Sequence, residues 1–259
     1  MDNLKISIVQ PNLIWEQPKE NILNITNLIR QIKITQDLIV LPEMFNTGFS
    51  LRPELFAEKM NGKTVQWMKE ISVETNAAIS GSLMIEEEGK YYNRLVWVAD
   101  GEVKYHYNKR HLFGLVGEDK PFEAGHDKII ISFKGWKIAP FICYDLRFPV
   151  WCRNTELIDI QIYVANWPEK RNHHWKLLLQ ARAVENQCFV IASNRVGEDL
   201  WGNNHSGDSC LIDYSGKTQF LASNLQAFKS FEISKSELTK YRQQYPFFLE
   251  SDKFKIENK

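Results

Sequence analysis

Two apolar periodicities alternate along the chain, and this alternation restricts the folds that it can adopt. Leu4, Ile6 and Ile8 recur at every second residue, as in a strand with one buried face. Apolar residues then recur at helical spacing over residues 22–32, and a short apolar strand follows over residues 37–41. A second helix is predicted over residues 64–75, with Thr64 as its cap. Strands that alternate with amphipathic helices indicate an α/β protein.

The middle of the chain follows a different pattern. Short turns around Gly89 and Gly101 separate strand-like runs, which is typical of antiparallel hairpins. The α/β rhythm then returns, and the chain ends in a predicted helix after residue 234 and a polar tail. The predicted elements of this part are strands over residues 77–87, 91–99, 102–107, 128–133, 136–143, 160–165, 188–193, 209–213 and 228–233, and a helix over residues 174–186. Since no low-complexity linker interrupts this order, we predict a single domain over residues 1–259 with a core at about residues 4–233.

Composition excludes several classes of partner. The 32 basic and 32 acidic side chains cancel, so no global field attracts nucleic acid or a membrane surface. The four cysteines contain no CxxC pair and the histidines form no HExxH, so a disulfide framework and a metal site are not expected. No signal peptide and no apolar run of roughly 20 residues is visible, which predicts a soluble, cytoplasmic protein.

Three reactive side chains stand at the ends of predicted strands, where ligands gather in α/β proteins. Glu43 follows the strand at residues 37–41 and suits a general base. Lys109 follows the strand at residues 102–107 and could stabilise an oxyanion. Cys143 ends an apolar strand at a turn whose N–H groups could lower the thiol pKa, which suits a nucleophile.

Each of these residues alone has a more ordinary interpretation. Glu43 could cap backbone N–H groups, Lys109 could be an exposed strand-end lysine, and Cys143 could be a small buried hydrophobic residue. Their occurrence together, each at a strand end and all expected on one sheet, favours a cysteine-dependent amide hydrolase. A Cys/His protease fits less well, because only His111 stands near a comparable position.

Five segments carry a resemblance to a known family. They are Leu41-Pro42-Glu43, Lys109 to Phe113, Cys143 to Pro149, Arg182 to Asn186 and His205 to Ser209. With these segments in this order, the chain resembles the carbon–nitrogen hydrolase (nitrilase) superfamily. The resemblance implies an α/β four-layer α-β-β-α sandwich, a homodimer, no metal or organic cofactor, and a second carboxylate after the lysine. Glu118 matches that carboxylate best, and Glu123 stays open as the alternative.

Within the superfamily, Asn166-Trp167-Pro168 and Ser193 to Gly197 are similar to the omega-amidase branch, which hydrolyses the distal amide of dicarboxylic monoamides such as 2-oxoglutaramate. We therefore expect a thioester on Cys143, with Lys109 and the Tyr144 N–H holding the oxyanion. Arginine suits the distal carboxylate, and Arg147 is the first candidate and Arg195 the second. The aromatic residues expected in the cavity wall are Phe45, Phe113, Tyr144, Phe148 and Trp167. For Arg147 a purely structural role, bracing the cysteine loop, stays open, and Arg182 with Glu185 is expected to be a structural ion pair.

Two other functions stay open. The first is another reaction of the same superfamily, on an N-carbamoyl compound, an aliphatic amide or a nitrile, for which the same three residues would serve. The second is a catalytically silent binding protein on this fold. The presence of Glu43, Lys109 and Cys143 together argues against the silent protein.

Overall fold

The computed structural model describes residues 2–257, which fold around two six-stranded β-sheets. The strands are β1 (Asn3–Gln10), β2 (Leu38–Val40), β3 (Ala78–Glu87), β4 (Lys90–Ala99), β5 (Glu102–Asn108), β6 (Ile131–Phe133), β7 (Trp136–Ile142), β8 (Ile160–Val164), β9 (Phe189–Ser193), β10 (Val196–Glu198), β11 (Asn204–Ser206), β12 (Cys210–Ile212), β13 (Thr218–Phe220) and β14 (Ala227–Ser234). The helices are α1 (Pro18–Arg30), α2 (Pro53–Phe56), α3 (Lys63–Thr75), α4 (Pro149–Cys152), α5 (Asn172–Asn186) and α6 (Lys235–Gln244).

The two sheets share one plan. The first has the strand order β14-β1-β2-β3-β4-β5, and the second has the order β13-β12-β9-β8-β7-β6. In each sheet three parallel strands (β1 to β3, and β7 to β9) are flanked by antiparallel strands on both sides. Strands β10 and β11 form a separate hairpin. Residues that follow the parallel strands β7 and β8 lie at one edge of the second sheet, whereas Glu43 follows β2 of the first sheet. The expectation that the three strand-end residues share one sheet is therefore wrong, and they meet across the two packed sheets, where the Glu43 carboxylate accepts the Asn166 N–H.

Four layers result from the way the sheets bury their faces. Ile6 of β1 and Ile162 of β8 belong to one apolar cluster, in which the two sheets pack against each other. On its other face, the first sheet packs Ile39 against α1 and α3. Ile25 of α1 is fully buried there. Helix α5 buries Leu179 toward the second sheet. This arrangement confirms the four-layer α-β-β-α sandwich.

Several element bounds differ from the sequence prediction. Thr64 does not cap α3, because the helix begins at Lys63 and the Glu58 carboxylate, 2.7 Å away, accepts the Thr64 N–H instead. A charged acceptor from the preceding segment thus replaces the local cap. The strand predicted over residues 128–133 covers only Ile131–Phe133. Strands β10, β11 and β13 were missed, since three residues are too few to show a periodicity.

None of the helices formed by residues 2–257 is both long enough and apolar enough to cross a membrane.

Candidate active site

Cys143 lies at a sharp turn directly after β7. Its φ angle is +44°, a left-handed conformation that is uncommon for a residue with a side chain, and a short 3-10 helix (Cys143–Arg147) starts there. The buried Asp145 carboxylate accepts the Ile142 N–H at 3.0 Å, and it also accepts the hydroxyl of Tyr107 and the backbone N–H of His111. One carboxylate thus fixes the cysteine turn to the end of β5.

Glu43 follows β2 and is completely buried. Its Oε2 atom accepts the Asn166 N–H at 2.8 Å, and its Oε1 atom accepts the Asn93 side-chain amide at 2.8 Å. Asn166 also donates its side-chain amide to the Glu43 carbonyl. These bonds fix the carboxylate in one orientation, since it accepts from strand β4 on one side and from the segment after β8 on the other.

Lys109 comes directly after β5 and lies between two carboxylates. Its Nζ atom is 2.9 Å from Glu43 Oε1 and 2.9 Å from each carboxylate oxygen of Glu118. Glu118 is fully buried and also accepts the Phe113 N–H at 2.6 Å. The structure thus selects Glu118 over Glu123, which is exposed and contacts this group through no side-chain bond in the described residues.

Burial and mutual charge shift the titration of this cluster. Burial alone lowers the pKa of Lys109, but the adjacent Glu118 and Glu43 carboxylates outweigh it and raise the pKa above its usual value. For Glu118, burial and the negative charge of Glu43 raise the pKa, while Lys109 opposes the rise. The lysine is therefore a permanent cation at neutral pH.

The thiol of Cys143 is affected in the opposite sense to the sequence prediction. Burial and the Glu43 carboxylate raise its pKa well above the usual value, and the Lys109 charge only partly offsets the rise. The prediction that the turn lowers this pKa is therefore wrong, because desolvation in the cavity floor exceeds the effect of a few N–H groups. A thiol with a raised pKa needs a base before it can act as a nucleophile.

A cavity of about 320 Å³ opens above Cys143 and Lys109. Its wall includes Arg147 and three of the aromatic residues expected there, namely Phe113, Tyr144 and Trp167. The expectation is wrong for Phe45, which packs in the core, and for Phe148, which stacks on His111. The rings of Phe113 and Tyr144 lie 4.8 Å apart. The remaining wall consists of Phe49, Leu51, Val116, Asn166, Pro168, Lys170, Arg171, Asp199, Trp201, Asn203 and His205.

Arg195 does not reach this cavity, which corrects its place as the second carboxylate-binding candidate. Its side chain is 1% exposed and donates to the backbone carbonyls of Leu13, Val196 and Glu198. These three carbonyl groups occupy N–H donors of the Arg195 guanidinium inside the protein, so few donors remain for a ligand.

Arg147 is on the cavity wall and does not brace the cysteine turn. Its guanidinium lies 4.8 Å from the centre of the Trp167 ring and 3.2 Å from His174 Nδ1. Bracing comes from Arg182, which donates to the Leu146 carbonyl at 2.7 Å and pairs with Glu185 at 2.9 Å. The structural ion pair predicted for Arg182 and Glu185 is thereby confirmed.

Sequence reasoning missed three polar residues of the site. Asn93 donates to both Glu43 and Glu118, but a single amide inside strand β4 gives no signal in the sequence. Asn166 was noticed only as part of a motif, yet it lines the cavity and its buried Oδ1 has no hydrogen-bond partner among the described residues. Arg171 lines the cavity as Arg147 does, but it directly follows Glu169-Lys170 in a run of charged residues that gives no signal in the sequence.

No group of three or more histidine, cysteine, aspartate or glutamate side chains suited to hold a metal ion occurs within residues 2–257.

Taken together, the fold and the site define a sandwich protein with a half-buried thiol, a buried carboxylate and a buried lysine at converging strand ends. The sequence profile of the family described as carbon-nitrogen hydrolase matches residues 5–242. The chain belongs to this family. It is 40% identical to "Omega-amidase YafV" of Yersinia enterocolitica over 98% of this chain and 99% of that protein.

Two further relatives extend the comparison. "2-oxoglutaramate amidase" of Bacillus subtilis is 34% identical, over 94% of this chain and 95% of that protein. Among solved structures, XC1258 of Xanthomonas campestris, a CN-hydrolase superfamily protein with an arsenic adduct in its active site, superposes with a TM-score of 0.95 at 38% identity, covering 99% of this chain and 100% of that one.

Proposed function

We propose that the protein is an omega-amidase that uses Cys143 as nucleophile, Glu43 as general base and Lys109 as stabiliser of the oxyanion. One observation carries the proposal: Lys109 Nζ is bonded at 2.9 Å to Glu43 and to Glu118 on the floor of the cavity that Cys143 lines. A base, a cation and a nucleophile in a desolvated cavity are the groups that acyl transfer needs.

In the first half of the reaction, Glu43 takes the proton of the Cys143 thiol while the sulfur attacks the amide carbon. The raised pKa of Cys143 fits a proton transfer that accompanies attack, because little thiolate exists beforehand. Negative charge gathers on the former carbonyl oxygen, where Lys109 and the Tyr144 N–H stabilise it. Glu43 then gives its proton to the leaving nitrogen, the C–N bond breaks, and ammonia departs.

In the second half, a thioester on Cys143 is hydrolysed. Glu43 takes a proton from water, the resulting hydroxide attacks the thioester carbon, and the C–S bond breaks as the thiol regains a proton. Glu118 holds Lys109 in place through both of its oxygens. Asn166 keeps the Glu43 carboxylate in its orientation through its backbone N–H.

The proposed substrates are monoamides of dicarboxylic acids, such as 2-oxoglutaramate. Support comes from the names of the relatives that match nearly the whole chain, omega-amidase and 2-oxoglutaramate amidase. A further support is the presence of Arg147 on the cavity wall, where a planar guanidinium can hold a carboxylate.

Ammonia release from 2-oxoglutaramate, compared with an N-carbamoyl amino acid and a simple aliphatic nitrile, tests this function. We expect turnover of the oxo-amide to exceed that of the other two, with Cys143→Ala as the inactive control. Mass spectrometry of acid-quenched enzyme should find an acyl group on Cys143. Activity on the carbamoyl compound or the nitrile alone would favour another branch of the family, and no activity at all would favour a silent binding protein.

We also propose a homodimer and a cytoplasmic location. The outer face of α5 exposes Leu177 and Val184, two turns apart on one side of the helix, as a pairing surface of the outer layer would. Light scattering would measure the mass of the particle in solution, and fractionation of cells would measure the location.

A further inference from the structure

The cavity contains more positive charge than catalysis by Lys109 requires. Besides that lysine its wall contains Arg147, Lys170 and Arg171, against the single acidic side chain of Asp199. The carboxylate of Asp199 accepts the N–H groups of Trp201 and Asn203 in its own loop. Within residues 2–257 no carboxylate lies within ion-pair distance of Arg147 or Arg171. Two guanidinium groups thus stand beside a reactive thiol with no internal counter-charge.

The two arginines are also held in a way that leaves their hydrogen-bond donors available. The guanidinium of Arg147 lies over the Trp167 ring at 4.8 Å, and that of Arg171 lies over the Phe113 ring at 5.4 Å. Contact with a ring uses the flat face of a guanidinium, while its five N–H donors point outward in the plane. The side chain of Arg171 makes no hydrogen bond among the described residues, and that of Arg147 meets only His174.

Backbone contacts fix the position of Arg171. It ends the short 3-10 helix Glu169–Arg171, its N–H donates to the Pro168 carbonyl at 3.0 Å, and its own carbonyl accepts the indole N–H of Trp167 at 2.9 Å. The ring under Arg147 is therefore bonded to the backbone of Arg171. Both arginines thus line one cavity, on segments that the Trp167 side chain connects.

The electrostatic repulsion between Arg147 and Arg171 depends on whether an anion is bound to them. Partial burial lowers the pKa of Arg171, and the positive charge of Arg147 lowers it further, yet an arginine stays charged at neutral pH. Two like charges in a half-dry cavity repel each other, and an anion bound between them removes the repulsion and fills their donors. A carboxylate matches the fork of a guanidinium with two parallel bonds.

We infer that Arg171 and Arg147 together form the site for the distal carboxylate of the substrate, so that the cavity selects monoamides with a negative charge at the end remote from Cys143. This inference rests on the proposed function, of which it names the selecting residues. The sequence pointed to Arg147 and Arg195 for this task, and the structure replaces Arg195 by Arg171. The cavity volume of about 320 Å³ is at the small end for a ligand site and suits a short chain.

The test compares two amides that differ only at the remote end. Glutaramate carries a carboxylate there, and pentanediamide, of nearly the same shape, carries a neutral amide. We expect the wild-type protein to prefer glutaramate, and Arg171→Gln to lower its kcat/KM on glutaramate by about 30- to 100-fold, chiefly through KM, with less than a threefold change on pentanediamide. Arg171→Lys should fall between them, since it keeps the charge but loses the fork.

Two control variants separate this site from a general effect of charge. Lys240→Gln removes a positive charge from an exposed position on α6 and should leave both rates unchanged. Lys170→Gln removes the neighbouring charge of the same turn, whose Nζ is bonded to Asn203. If Lys170→Gln weakens glutaramate turnover as much as Arg171→Gln does, a diffuse positive potential and not a guanidinium pair selects the substrate, and the inference is wrong.

A binding measurement distinguishes failure of this inference from failure of the proposed function. Calorimetry with glutarate, a dicarboxylate that undergoes no turnover, should find binding to the wild-type protein and at least tenfold weaker binding to Arg171→Gln. If neither amide releases ammonia but glutarate binds in this way, the proposed function is wrong and the carboxylate site stands. If glutaramate is hydrolysed while Arg171→Gln affects both amides equally or neither, the site is wrong and the proposed function stands.

Discussion

Two regions of the cavity differ in how their charges are paired. The floor is the cluster of Glu43, Lys109 and Glu118 next to Cys143, and the rim is the part of the wall that contains Arg147, Arg171, Trp201 and His205. On the floor, Glu43, Lys109 and Glu118 are at most 1% exposed, and each contacts a partner of opposite charge within 2.9 Å. On the rim, Arg147 and Arg171 are half-buried, and no carboxylate among the described residues pairs with them. The floor is electrostatically complete before a substrate arrives, whereas the rim is not.

This difference assigns the two regions different tasks. Groups that stabilise a transition state work best when they are fixed in advance and need no rearrangement, which is the condition of the floor. Groups that recognise a ligand gain free energy by acquiring partners that they lack in the free protein, which is the condition of the rim. Substitutions on the floor should therefore affect kcat and folding, and substitutions on the rim should affect KM and selectivity.

The largest effect is expected for Lys109→Met, which leaves two buried carboxylates without their cation. We expect the free energy of unfolding to fall by about 3–5 kcal/mol and kcat to fall by about 10³-fold. Denaturant unfolding and ammonia release measure the two quantities. Lys104→Met is the matched control, because Lys104 is an exposed lysine of strand β5 that is paired with Glu102. It should alter neither the free energy of unfolding nor kcat. Equal effects of the two variants would contradict a special role for the floor.

A second prediction concerns Asn93, which donates to Glu43 at 2.8 Å and to Glu118 at 3.2 Å. Asn93→Leu keeps the volume but removes both donors, and we expect kcat to fall by about 10²-fold, since a hydrogen bond to a charged group contributes roughly 1.5–3 kcal/mol. Ser82→Ala removes only the hydroxyl that orients the Asn93 amide from 2.8 Å, so its loss should be smaller. A larger loss for Ser82→Ala would place the important contact elsewhere.

The contrast between floor and rim also explains how far the sequence alone could lead. Glu43, Lys109 and Cys143 follow strands with clear apolar patterns, so their positions at strand ends could be predicted from periodicity. That Cys143 belongs to the second sheet, and the other two to the first, could not be read from the sequence. Arg171 ends a three-residue 3-10 helix, and Trp201 lies between the three-residue strands β10 and β11, segments too short to show a pattern.

Two features of the floor could not be predicted from the sequence for a different reason. The pairing of β4 with β3 and β5 places Asn93 above both carboxylates, and only the register of the strands determines this. The raised pKa of Cys143 depends on burial and on the distance to Glu43, which no local pattern encodes. Glu118 was expected from the family resemblance alone, because it follows a short 3-10 helix and not a strand.

A third prediction concerns His205, a cavity residue in strand β11 that is almost completely buried. Burial, with the charge of Arg195, lowers its pKa from 6.5 to about 4, so the folded protein binds this proton less readily than the unfolded chain. The neutral ring therefore favours folding fully above pH 6.5, and this contribution is lost as the pH falls toward 4. The loss amounts to roughly 3 kcal/mol at most.

Unfolding by denaturant at several pH values between 7 and 4 measures this effect. In His205→Asn, which keeps a polar side chain of similar shape without a titrating group, the free energy of unfolding should depend less steeply on pH across that interval. Identical pH dependence of the variant and the wild-type protein would show that His205 takes up its proton without cost to the fold.

The smallest effect is expected at Trp201, whose side chain lines the cavity and meets Trp15 edge-on at a centroid distance of 6.0 Å. The residue is 54% exposed, so Trp201→Ala should change the free energy of unfolding by less than about 1 kcal/mol. It removes part of the rim that covers a bound substrate, and we expect KM to rise threefold to tenfold with kcat nearly constant. Steady-state kinetics on one amide separates the two parameters. A fall in kcat at constant KM would place this rim residue in the chemical step, and the division of labour between floor and rim would then be wrong.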